Sequence, residues 1–124
     1  MWRKIEMKKV CFVCLGNICR SPMAEFVMKS ISDSTSLLVE SRATSSWEHG
    51  NPIHKGTQGV LKKHQLEYSD QKTSSQISLN DFEDFDYIIG MDKQNVEDLK
   101  QMSCHRYDDK IFLFNKDGVP DPWY

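Results

Sequence analysis

Two stretches of the sequence carry residue types that could do chemistry on an anion. Cys14 and Arg20 are separated by Leu15, Gly16, Asn17, Ile18 and Cys19, and Ser21-Pro22 follows. A thiol at the start of a short loop and a guanidinium at its end enclose a run of backbone N–H groups, and a helix beginning there adds the positive end of its dipole. Such a loop suits a tetrahedral dianion. Its amides donate to the oxygens, and Arg20 closes the cradle with a planar fork that Lys lacks. The same field favours the thiolate of Cys14, a nucleophile able to attack phosphorus. Near the other end, Asp121-Pro122-Trp123-Tyr124 sets a carboxyl beside two aromatic rings. Asp and Pro are also common turn residues, so acid catalysis and a plain turn both stand for Asp121 on these residues alone.

The elements that must hold these groups follow from hydrophobic pattern. Residues 8–13 are a basic flank and then a continuous apolar run, the pattern of a strand buried on both faces, ending at Gly16-Asn17. Ser21-Pro22 predicts an N-cap and first-turn proline, with Met23, Phe26, Val27 and Ile31 at helical spacing. A second strand is predicted over 37–40, a polar loop carrying Trp47 over 41–52, and a helix over 54–65 with Thr57, Val60, Leu61 and His64 on one face. The Ser-rich stretch 69–78 reads as a loop and 81–85 as a short helix. A buried strand over 86–91 precedes a helix capped by Asp92, with Val96, Leu99 and Met102 inward, and 110–114 is a last strand. This alternation predicts an α/β fold: a four-stranded parallel sheet with helices on both faces and its ligand site beyond the carboxyl ends of the strands.

Composition limits the function classes. The chain has 124 residues, 39% hydrophobic and 27% charged, and a formal charge of −2, which fits a single domain and excludes nucleic-acid binding by bulk electrostatics. No apolar stretch approaches a membrane span, so no membrane partner is expected and the location expected is cytoplasmic. Cys11, Cys14 and Cys19 crowd into nine residues and Cys104 stands apart, unlike a secreted disulfide framework. Cys11 reads as a small buried hydrophobe, and Cys11-x2-Cys14 is no metal half-site, because strand residues three apart face opposite sides. His49, His54, His64 and His105 lack metal-ligand spacing and read as surface or packing residues. Asp92 reads as a helix cap only. Asp81, Glu83, Asp84 and Asp86, like Asp108 and Asp109, read as solvated acids.

The octet Cys-Leu-Gly-Asn-Ile-Cys-Arg-Ser over 14–21, the segment 41–52 with Trp47 and Gly50, Phe85-Asp-Tyr-Ile-Ile-Gly-Met-Asp92 and the terminal Asp-Pro-Trp-Tyr together resemble the low-molecular-weight protein tyrosine phosphatases. The resemblance implies a flavodoxin-like phosphotyrosine phosphatase I fold over residues 7–124, with residues 1–6 as a leader. It implies catalysis by Cys14 as nucleophile, Arg20 as phosphate clamp and Asp121 as general acid and base, with no cofactor and no metal. The amides of Leu15, Gly16, Asn17, Ile18 and Cys19 would hold phosphate oxygens and Ser21 would hydrogen-bond the thiolate. Asn17 would brace the loop in a left-handed conformation, with Ser41 and Ser45 as its partners. Trp47, Trp123 and Tyr124 would wall a cleft for a phosphotyrosine-bearing protein or peptide. Cys19 could pair reversibly with Cys14.

The sequence departs from the family pattern at several places. Lys72-Thr73-Ser74-Ser75 stands where relatives carry a His-x-Ala-Arg-like stretch, leaving the phosphate loop without that support, and Arg42 stands where a small residue is usual. Relatives continue past Asp-Pro into a C-terminal helix that this chain is expected to lack, which predicts self-association through the uncovered sheet face. Phosphoarginine hydrolysis, arsenate reduction and a non-catalytic phosphate-binding module are the alternatives to phosphotyrosine hydrolysis.

Overall fold

The computed structural model describes residues 7–33 and 35–118. Strands β1 (Lys8–Cys14), β2 (Leu37–Ala43), β3 (Tyr87–Gly90) and β4 (Ile111–Leu113) form one parallel sheet in the order β2-β1-β3-β4. Helices α1 (Arg20–Ile31), α2 (Lys55–Lys63), α3 (Leu79–Asp84) and α4 (Lys93–Met102) lie between them in sequence. The run Val10 to Cys14 is buried at every position, as expected of a central strand covered on both sides.

Alternation along β1 divides the core. Val10, Phe12 and Cys14 pack with Val39, Met91, Ala24 and Met28 on the α1 side. Cys11 and Val13 face the other way, against Ile88, Phe82, Phe85, Leu99 and Ile111. Cys11 and Cys14 therefore lie on opposite faces of the sheet, as strand geometry requires. A third cluster, Phe26, Ile53 and Leu61, fixes α2 and the segment before it against α1. Each such side chain withdrawn from water stabilises the fold by about 1.5–3 kcal/mol.

Several boundaries differ from the predicted ones. Helix α1 begins at Arg20, with Cys19 at the N-cap and Met23 N–H bonded to the Cys19 carbonyl, so Ser21 is inside the first turn and is not the cap. Its hydroxyl is engaged by the loop instead. Strand β2 extends to Ala43 because β1 pairs with it through Cys14, and Gln76 then bridges to Ala43 from the far side. Helix α2 ends at Lys63, and of its predicted inner face only Thr57 and Leu61 are buried; Val60 and His64 are exposed. Its N-cap is His54, whose Nδ1 accepts from Gly56 N–H. Helix α3 starts two residues earlier than expected, on a capping box of Ser78 and Asp81. Asp81 is also ion-paired with Arg42 at 3.4 Å, and Asp86 accepts from Lys9 N–H, so these two acids are structural and not merely solvated.

Candidate active site

The loop from Cys14 to Arg20 joins the carboxyl end of β1 to the amino end of α1. Its carbonyls are held outward by neighbouring segments. The Cys14 carbonyl accepts from Thr44 N–H, that of Leu15 from both Ser45 N–H and Ser45 Oγ, that of Gly16 from Ser74 Oγ, and that of Ile18 from His54 N–H. A planar trans peptide that points its C=O outward points the next N–H inward. The amides of Leu15, Gly16, Asn17 and Cys19 therefore converge on the space above Cys14, forming an anion-binding nest at a helix N-terminus. The Asn17 N–H lies 3.2 Å from Cys14 Sγ, in agreement with that orientation.

Asn17 makes this turn possible. It is buried with φ +55°, a left-handed conformation that Asn tolerates better than most residues. Its Nδ2 donates to Ser21 Oγ and to Ser41 Oγ, each at 2.8 Å, and its Oδ1 accepts from Ser75 N–H. Ser21 Oγ in turn stands 3.1 Å from Cys14 Sγ. Ser41 Oγ donates to Glu25, a buried carboxylate that also meets Lys29 at 2.7 Å and Lys72 at 3.4 Å. One chain of hydrogen bonds thus runs from a buried ion cluster to the sulfur.

Three readings from sequence are corrected by this arrangement. Ser45 does brace the loop, but through the Leu15 carbonyl and not through Asn17. The stretch from Lys72 to Ser75 does support the loop: Ser74 and Ser75 bond to Gly16 and Asn17, while Lys72 Nζ donates to the Ser41 carbonyl. Asp92 is more than a cap. Its Oδ1 accepts from Asn95 N–H, while its Oδ2 accepts from Arg20 at 2.7 Å and holds a guanidinium whose side chain is only 5% exposed. Its position just past β3, at the ligand end of a parallel sheet, was the available signal for this second role. Glu25, within a predicted helix, gave no such signal.

The cavity over the loop has a volume of about 140 Å³ and is lined by Cys14, Leu15, Gly16, Ile18, Cys19 and Arg20, with Ser45, Trp47, Glu48 and His54 at its sides. Trp47 stands 80% exposed at the rim. The Cys19 thiol accepts from Thr57 Oγ1 at 3.0 Å, and Cys11, Cys14 and Cys104 are in no disulfide. Asp121, Trp123 and Tyr124 lie outside the described residues. The arrangement that is described can bind a tetrahedral anion and present a sulfur nucleophile beneath it.

Known proteins resemble this chain in sequence and fold. The profile of the low molecular weight phosphotyrosine protein phosphatases matches residues 9–124. The low molecular weight protein-tyrosine-phosphatase PtpA of Staphylococcus saprophyticus is 43% identical over 129 aligned positions, covering 95% of this chain and 80% of its own length. Among solved structures, the low molecular weight protein tyrosine phosphatase SP-PTP of Streptococcus pyogenes superposes with a TM-score of 0.94 at 68% identity, covering 95% of this chain and 79% of that one. YfkJ of Bacillus subtilis superposes at 0.88 with 37% identity, covering 96% and 81%.

Proposed function

This chain belongs to the low molecular weight phosphotyrosine protein phosphatase family, and on that premise we propose that it hydrolyses phosphotyrosine in proteins through a phosphocysteine at Cys14. The observation that carries this reading is the placement of Cys14 Sγ beneath converging amides, 3.1 Å from Ser21 Oγ, in a cavity that Arg20 also lines.

The proposed chemistry has two steps. The Cys14 thiolate attacks phosphorus in line, forming an S–P bond as the P–O bond to the phenol breaks. Asp121 gives its proton to the departing phenolate. Asp121 then takes a proton from water, whose oxygen attacks phosphorus; the S–P bond breaks, inorganic phosphate leaves and the thiolate returns. Phosphoryl transfer is mostly positioning and charge stabilisation, which the amides of residues 15–19 and the Arg20 fork supply. Ser21 donates to the thiolate each time it forms. Trp47, with Trp123 and Tyr124, stacks on the phenol ring, and a shorter phosphoserine would hold its phosphorus away from Cys14.

The partner is a phosphotyrosine-bearing protein or peptide. No helix among the described residues is long and apolar enough to cross a membrane, and a formal charge of −2 disfavours nucleic acid. Reducing cytoplasm is the compartment in which Cys14 stays a thiol.

Kinetics on p-nitrophenyl phosphate, beside phosphotyrosine, phosphoserine and phosphoarginine peptides, test the proposal. Hydrolysis of the aryl ester and the phosphotyrosine peptide is expected. Cys14→Ser and Arg20→Ala should each lower kcat by at least ~10³-fold, and Asp121→Ala should lower it by ~10²–10⁴-fold. Unchanged turnover in Cys14→Ser, or a preference for phosphoarginine, would sink the reading.

A further inference from the structure

The chain leaving β4 turns back onto the site. Phe114 N–H donates to the Gly90 carbonyl at 2.9 Å, extending the pairing with β3 by one bond, and the chain then reverses over residues 115–118. Gly118 N–H donates to the Asn115 carbonyl and Asp117 N–H to Asn115 Oδ1, each at 2.8 Å, which makes a β-turn reinforced by its own first side chain. The turn seats Gly118 on the junction of β3 with α4. Its φ of +74° lies in the left-handed region, and a Cβ there would stand 3.3 Å from Asp92 Cβ and 3.4 Å from Asp92 Cα. Glycine meets both demands without strain.

The residue beneath Gly118 is the one whose Oδ2 accepts from Arg20 at 2.7 Å, and Arg20 lines the cavity over Cys14. A single side chain thus separates the turn from the phosphate clamp. Val119-Pro120-Asp121-Pro122 follows in sequence. Three residues of chain reach at most about 11 Å, so the seat of Gly118 bounds where the backbone of Asp121 can stand. Proline fixes φ at 120 and 122, and each proline restricts the residue before it to extended backbone, which leaves a segment of this sequence few hinges. In a stiff arm, the direction set at the first residue decides where the third one points.

We propose, on the phosphatase reading above, that Gly118 is the positioning residue for Asp121: seated on Asp92, it aims the arm carrying the general acid at the cavity whose wall Arg20 forms. One carboxylate then registers both groups, the guanidinium that binds the phosphate oxygens and the acid that protonates the leaving group.

The leaving group reads acid catalysis selectively. Phenyl phosphate expels a basic phenolate that needs a proton, whereas 2,4-dinitrophenyl phosphate expels an anion that departs without one. The ratio of kcat/KM for the two esters on one preparation does not depend on how much of it is folded. Gly118→Val puts a β-branched residue at positive φ. It should lower kcat/KM about tenfold for phenyl phosphate, part of the ~10²–10⁴ that acid help supplies, and stay within about twofold for the dinitrophenyl ester. Gly118→Asn tolerates left-handed backbone and should lose no more than about threefold on phenyl phosphate. In Asp121→Ala, adding Gly118→Val should change either ester by no more than about twofold, because the group it misplaces is gone. Equal losses on the two esters, no loss in Gly118→Val, or a loss that persists in Asp121→Ala would mean that Gly118 only packs the turn. If instead the unmodified protein turns over neither ester, or Asp121→Ala slows both alike, the reading of the site falls, and this inference with it.

Discussion

Asp92 divides its carboxylate between two structures, the first turn of α4 and the Arg20 guanidinium, and the two can be separated by substitution. Asn is as good an N-cap as Asp but carries no charge, so Asp92→Ala should cost about 1 kcal/mol more stability than Asp92→Asn. Both remove a carboxylate that helps orient Arg20, so both should lower kcat/KM by about tenfold. Urea denaturation beside steady-state kinetics checks the split; activity lost only in Asp92→Ala would mean the cap alone matters. Glu25 poses a similar question one layer back. Lys29 is half-exposed and its contact adds little, but Lys72 and Ser41 are enclosed with the carboxylate. Removing it leaves the enclosed Lys72 ammonium with the Ser41 carbonyl but without this counter-charge, and Glu25→Ala should cost about 3 kcal/mol, with Glu25→Gln milder because it keeps an acceptor for Ser41. Cys11 is inert by contrast. Burial pushes its thiol far up, so it stays neutral at any working pH. Iodoacetamide on the native protein should modify exposed Cys104 and spare Cys11, as peptide mass mapping will report. At this scale the residues of the Cys14–Ser21 octet were legible, since their types carry the chemistry. Glu25, Ser74 and Lys72 were not, because Ser74 meets Gly16, and Glu25 and Lys72 meet Ser41, across 16 to 58 residues of sequence that no local pattern spans.

Elements were legible in kind and order, and their ends were not. The apolar run of β1 and the cap at Asp92 are local signals, and both structures formed where those signals stand. The start of α1 depended on something else. Ser21-Pro22 carries the pattern of a cap, yet the Ser21 hydroxyl is held by Cys14 and Asn17, and the helix begins two residues earlier, with Cys19 as its cap and Arg20 as its first residue. Strand β2 ran on to Ala43 because β1 and Gln76 flank it, a tertiary cause absent from its own sequence. The junction of β3 with α4 shows how closely elements must meet to place Asp92. A Cβ added at Gly90 would lie 2.9 Å from Val96 Cγ2 and 3.1 Å from Val96 N, where backbone cannot yield. Gly90→Ala should therefore destabilise by about 1–3 kcal/mol and shift the start of α4. Lower stability together with a raised KM for p-nitrophenyl phosphate would show that the shift reaches Arg20; unchanged stability would mean the helix moves aside without strain.

At the scale of the whole molecule, the described residues cover the two faces of the sheet unequally. Helix α1 lies over β1 and β2, but the same face continues onto β3 and β4, where the register sets Tyr87 beside Val10 and Phe112 beside Ile89. Tyr87, Phe112 and Phe114 are between 42% and 49% exposed, and Tyr87 and Phe112 touch with ring centroids 5.9 Å apart. Val27 and Ile31 of α1 are also exposed. Contiguous aromatic surface next to an edge strand favours association, and a formal charge of −2 provides little repulsion against it. A polypeptide of these 124 residues should therefore form dimers reversibly at tens of micromolar, on the order of the affinity a small apolar interface supports. Phe112→Lys puts a charge at the centre of the strip while leaving the buried side of β4 intact. It should shift the sedimentation profile to monomer without changing kcat/KM for p-nitrophenyl phosphate, because β4 contributes no residue to the cavity over Cys14. A single monomeric species for the unmodified chain across that concentration range would show that the strip is too small, or too well hydrated, to hold a second copy.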